Sequence, residues 1–253
     1  MIYVKSGAEA IEGFYVKDYP QFDNKKHWCS DIFGPRYSYA KAPGPQALMV
    51  DMEPGEVVRP HFHGTAQFQL FPAGAGTIGR KNEPIQSLMV QFKDRHTAYG
   101  PLVAGPNGLT FVSLRVFTGV SAPVYLDDPQ LRDKLKPSKR RNWLSPRLAL
   151  STVSVLRHRA APVWEPLWDP ATIDDEMNAQ LLRLGAGQSV AGPDPKRAAG
   201  YYVFAVNGSM LHNGQDLGPW SMAVVEPTED TFTISAGAKG LEALVLEFPQ
   251  DYE

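Results

Sequence analysis

Residues 55–74 read GEVVRPHFHGTAQFQLFPAG, and the rest of the chain is best understood from them. His61 and His63 stand two apart in an apolar setting, Gln67 follows four residues later, and Gly74 closes the stretch. Alternate residues of a strand point to one face. If 58–71 is a strand or a strand pair, His61, His63 and Gln67 can converge on one side, with a turn at 63–65 re-aiming the last. Imidazoles on one strand face can share a first-row metal ion. They can equally be two ordinary polar side chains of a half-exposed strand. A third imidazole would favour the ion, and His96 in FKDRHTAYGPLVAG is the natural candidate, because it precedes another strand-and-turn unit.

Working outward, strand signals dominate. QALMVDMEP, QFQLFPAG, QSLMVQF, LTFVSLRVF, LALSTVSVL, YYVFAVNG, SMAVVEP, TFTISAG and LEALVLEF are short, β-rich and bounded by Gly, Pro or Asn. The 22 Gly and 22 Pro fit many short elements joined by turns, the pattern of a sandwich or barrel. Helix signals are few: DDPQLRDKLK (127–136), with Asp127 or Asp128 as N-cap, and ATIDDEMNAQLL (171–182), which could equally lead into a strand.

Length and charge narrow the function classes. The 253 residues suffice for one large or two ordinary domains, and 43 % hydrophobic with 21 % charged residues is a folded globular composition. A net charge of −2 calls for neither nucleic acid nor a membrane surface, and no apolar run approaches a membrane span. The single Cys29 excludes an internal disulfide and a thiolate cluster. The first twenty residues lack a signal-peptide pattern, so a reducing cytoplasmic compartment is expected.

The stretch KLKPSKRRNWLSP (134–146) is basic and proline-punctuated, and reads as a solvated linker between two halves. Expected boundaries are 1–126 for the first domain, 127–146 for a basic helix and linker, and 147–253 for the second. The halves resemble each other. Two AG-x-x-GL turns, 104–109 and 236–241, recur with the same spacing as Gly74 and Gly208 to within two residues, which argues for duplication.

The first half resembles the cupin family. That family's first motif reads G, five residues, H-x-H, three or four residues, E, six residues, G. Gly55, His61-Phe62-His63, Gln67 and Gly74 keep every spacing, with Gln67 replacing the glutamate. The second motif, G-x5-P-x-G-x2-H-x3-N, keeps only His96; its P-x-G reads Gln91-Phe92-Lys93, and Gly100 replaces the asparagine. The resemblance implies an all-β fold of two tandem cupin (double-stranded β-helix) barrels with few short helices. It also implies one divalent metal held by His61, His63, His96 and Gln67.

A neutral amide is a weaker donor than carboxylate, so Gln67 could instead orient a water. Three imidazoles and an amide would leave the ion's charge uncompensated and invite a small anionic substrate. Cupins of this kind include Fe(II) dioxygenases, the favoured expectation. Isomerases, lyases or hydrolases using Mn, Ni or Zn remain open, as does a non-catalytic binding or sensing protein. Tyr99 could act as an acid or hydrogen-bond donor, and Arg59 and Arg115 could pair a carboxylate. The second half has Tyr201 at the place of Gln67, and Pro195 and Arg197 at those of the histidines, so it reads as a degenerate cupin. His27, His158 and His212 read as locally bonded or surface residues. No nucleic-acid or membrane partner is expected, and paired sheet edges leave a homodimer open.

Overall fold

The computed structural model describes residues 2–18, 26–34, 44–116, 122–127 and 129–250. It divides into two compact units: Gly13–Leu148, and Met1–Glu12 together with Ala149–Glu253. Each is a rolled antiparallel sheet, as expected from the short alternating strands. The described helices are short: Gly7–Glu12, Pro129–Arg132 and Val153–Arg157.

In the first unit the sheet runs Asn142–Leu144, Met89–Lys93, Gln67–Ile78, Leu102–Arg115, Gln46–Met52, Lys26–Phe33, Tyr15–Asp18. The long strand Leu102–Arg115 makes the roll. Its residues 109–115 pair with Gln46–Met52, while Leu102 and Val103 pair with Val57–Val58. Between them, register breaks after Ala104 and resumes at Leu109 opposite Gly74. This break is the first AG-x-x-GL sequence, with Gly108 at φ 76°. A strand bent in this way serves both layers of a barrel.

The second unit repeats the device. Thr233–Glu247 pairs with Ser189–Ala191 near its start and with Asn178–Leu184 and Tyr201–His212 further on. Leu241 faces Gly208 as Leu109 faces Gly74, so the two anchors seen in the sequence occupy matching places. TFTISAG and LEALVLEF are therefore parts of one strand. This unit's interior is filled by an apolar cluster including Tyr201, Met210, Phe232 and Leu241. Burial pushes the Tyr201 hydroxyl's pKa up to about 12.

Several expectations are corrected. LALSTVSVL does not form a strand: Thr152 caps the helix Val153–Arg157, its side chain accepting from the Val155 amide. ATIDDEMNAQLL gives only a 3-10 turn, Pro170–Thr172, before the strand Asn178–Leu184. In DDPQLRDKLK only Pro129–Arg132 is helical, and the Asp128 cap lies outside the described residues.

The expected domain limits also differ from the units. Residues 127–146 belong to the first unit, because Arg141 folds back onto Asp94. Its backbone N–H donates to Oδ2 at 2.7 Å and its Nη2 to Oδ1 at 2.8 Å. The basic stretch is thus bolted down by one buried ion pair and by Asn142–Leu144 pairing with Met89–Lys93. Conversely, Ile2–Lys5 pairs with Met222–Val225, so the first residues complete the second unit.

Candidate functional site

Inward-facing positions of the first barrel follow from strand parity. On Gln67–Ile78 the alternating residues Gln67, Gln69 and Phe71 face in; Arg115, Ser113 and Phe111 do so on their strand, and Lys93 lies opposite Gln67. His61 and His63 flank the outward-facing Phe62 on the other layer. His61 is bridged to Tyr99 by two backbone hydrogen bonds of 3.0 Å. These residues enclose a cavity of about 60 Å³, lined by His27, His61, His63, Gln69, Tyr99 and Arg115 with an apolar wall that includes Leu48, Val50 and Phe111.

The polar groups are tightly interconnected. Arg115 is 4 % exposed; its Nη1 donates to Gln46 and its Nη2 to Gln67 Oε1. The same Nη2 lies 3.2 Å from His63 Nε2. Tyr99 Oη lies 3.2 Å from His63 Nε2 and accepts from Gln67 Nε2 at 3.3 Å. His61 Nδ1 donates to the Arg59 carbonyl at 2.7 Å, which fixes its tautomer. Burial first, and then the charges of Lys93 and Arg115, hold the His61 pKa down to about 3. Lys93, fully buried, donates from Nζ to Gln69 Oε1 at 2.7 Å and sits 3.2 Å from the Tyr99 ring centroid. Burial, reinforced by Arg115, holds its pKa well below that of an ordinary lysine.

Of the residues singled out from the sequence, His61, His63, Gln67, Tyr99 and Arg115 come together. His96 does not. It sits at φ 55° in a tight turn and its backbone N–H donates to the His63 carbonyl, but its ring packs on Phe62 at 5.6 Å. Phe62 is on the opposite face from the two cavity histidines, so the left-handed backbone carries the third imidazole to the wrong side. The residue that meets His61 across the barrel is Tyr99. Arg59 holds His61 through its carbonyl, and its guanidinium pairs with Asp127 and covers the cavity residue Tyr125 at 4.7 Å.

Other cavity residues were missed in the sequence. His27 faces inward beside Cys29 and forms a buried pair with Glu56, which is 0 % exposed. Lys93 backs the cavity wall through Gln69 and Tyr99; in the sequence it stands only as a lapse in the second motif, although a charge alternating with Gln91 in an apolar strand is a usable signal.

As arranged, these side chains do not fit a divalent ion. Among the described residues no three His, Cys, Asp or Glu side chains are grouped to hold one. His63 Nε2, which would have to bind the ion, instead faces a guanidinium and a phenol, and the Arg115 charge would repel a second positive one.

No family profile matches this sequence, and no curated protein resembles it significantly. Solved structures do resemble it. A bacterial pirin from Escherichia coli, solved with nickel(II), is 12 % identical, with 98 % of this chain and 99 % of that one covered and a TM-score of 0.56. Salicylate 1,2-dioxygenase from Pseudoaminobacter salicylatoxidans is 12 % identical over 98 % of this chain and 84 % of its own, with a TM-score of 0.59. Oxalate decarboxylase from Bacillus subtilis is 9 % identical over 98 % and 77 %, with a TM-score of 0.55. By fold, the chain is a bicupin. Within that fold, the first barrel carries the polar cavity, while the second has filled the equivalent space with Tyr201 and its apolar neighbours. No helix among the described residues is long and apolar enough to cross a membrane.

Proposed function

We propose that the first barrel of this bicupin binds a small organic anion, a carboxylate in the first instance, without needing a metal to do so. The observation that carries this reading is Arg115. Its buried guanidinium lines the cavity, where Nη1 donates to Gln46 and Nη2 donates to Gln67 and lies beside His63. A guanidinium presents a rigid fork that matches a carboxylate, and a low-dielectric wall strengthens the attraction. At about 10–15 Å³ per water, a cavity of about 60 Å³ has room for a few water-sized groups. That favours a short acid over a polycyclic one.

A metal-dependent reading, with an Fe(II) dioxygenase at its head and Mn, Ni or Zn chemistry behind it, has one structural observation in its favour. His61 is held neutral with Nδ1 protonated, which leaves Nε2 as a lone-pair donor beside His63 at a ring separation of 5.0 Å. It requires Arg115 to withdraw from His63.

Calorimetric titration with acetate and elemental analysis of the same preparation distinguish the two. The anion reading predicts saturable acetate binding in metal-free protein, weakened by about tenfold or more in Arg115→Met. Stoichiometric bound metal, with acetate binding indifferent to Arg115, would overturn it in favour of the metal-dependent reading.

A further inference from the structure

Lys93 is the buried, potentially nucleophilic group that anion binding leaves without a task. It ends the strand Met89–Lys93, is 2 % exposed, and projects beside Gln67 on the inner face. Gln69 and Tyr99, the two side chains that touch its Nζ, both line the cavity, so the amine lies directly behind the cavity wall. Among the described residues it makes no ion pair. Its hydrogen bond goes to a neutral amide and its other contact is an aromatic face.

We propose that Lys93 is an amine nucleophile that forms an imine with a small 2-oxo acid whose carboxylate is held by Arg115. This rests on the anion-binding reading above and extends it to a substrate class. Arg115 and Lys93 flank one residue, Gln67. Arg115 donates to the Gln67 side chain, and Lys93 is its cross-strand partner, whose Cβ lies about 5 Å away in such pairs. A carboxylate anchor and an amine set so close suit an acid with its carbonyl on the adjacent carbon. The depressed basicity of Lys93 is consistent with this, since an uncharged amine carries the lone pair the reaction needs.

The step balances without a co-reactant. The Nζ lone pair attacks the carbonyl carbon, the carbonyl π pair moves to oxygen, and that oxygen takes up the first of the two amine protons. The carbinolamine then loses hydroxide, which leaves as water with the proton released from nitrogen. An imine and one water result. The Gln69 amide stands between the cavity and Nζ, and its flexible side chain is the gate.

Trapping on the full chain tests this. Protein is incubated with glyoxylate and cyanoborohydride, and peptides are read by mass spectrometry. Reduction of the imine would leave a carboxymethyl group on Lys93, formed about tenfold or more faster than on exposed Lys81. Acetate should slow it, Gln69→Ala should accelerate it, and Lys93→Met, checked for an intact thermal transition, should abolish it. Acetate binding without faster labelling of Lys93, or labelling indifferent to acetate, overturns the proposal and leaves the anion site standing. Failure of both acetate and glyoxylate to bind removes the anion reading itself.

Discussion

His61 shows how position alone can set a side chain's charge. Its ordinary pKa of 6.5 falls to about 3, chiefly through burial. Below pH 6.5 the unfolded chain therefore takes up a proton that the folded barrel refuses, so stability is full above that pH and drains away as pH falls towards 3. His96, lowered for the same chief reason, adds to the trend. The first unit should lose stability on the order of a few kcal/mol across this window, seen as a falling thermal midpoint between pH 7 and 4. His61→Gln should flatten the dependence, and an unchanged slope in that variant would count against the assignment. His61 and His63 were readable in the sequence because two-residue parity is a local property. His96 was misread because one left-handed residue reverses the side to which a ring points. His27 and Glu56 could not be paired in advance, since only the roll of the sheet brings their distant positions together.

Among the strands and turns, the most informative residues have no side chain. A Cβ on Gly74 would stand 2.4 Å from the Gly108 carbonyl oxygen, and one on Gly208 would stand 2.1 Å from that of Gly240. Both glycines also have positive φ, 80° and 72°. The long bent strand thus passes so near its partner that only glycine fits, at matching places in the two barrels. Gly74→Ala should destabilise the first unit by about 1–3 kcal/mol from backbone strain alone, and Gly208→Ala should do the same in the second. Differential scanning calorimetry should show each variant lowering a different transition; a single shared shift would contradict independent barrels. The spacing of these glycines made the duplication visible. The helix at Val153–Arg157 stayed hidden because its run of Val, Ser and Leu has β-type composition, and the cap at Thr152 decides against it.

For the molecule as a whole, the order of segments along the chain differs from the order in which they fold together. Ile2 and Val4 pack against the core of the second unit, on a strand that pairs with Met222–Val225. Deleting residues 2–12 should therefore lower the thermal midpoint of the second unit while leaving acetate binding in the first barrel unchanged. Loss of acetate binding with an intact second transition would refute that partition. Nothing local in IYVK announces so remote a partner, which is why the expected first domain began too early.

Protein synthesis adds a consequence. The ribosome delivers Ile2–Lys5 ~220 residues before the strand on which it docks. Throughout that interval the nascent chain trails an unsatisfied apolar strand past a barrel that has already emerged. The second barrel therefore cannot be sealed until Met222–Val225 has emerged, which marks Ile2–Lys5 as the segment a ribosome-associated chaperone would need to shield.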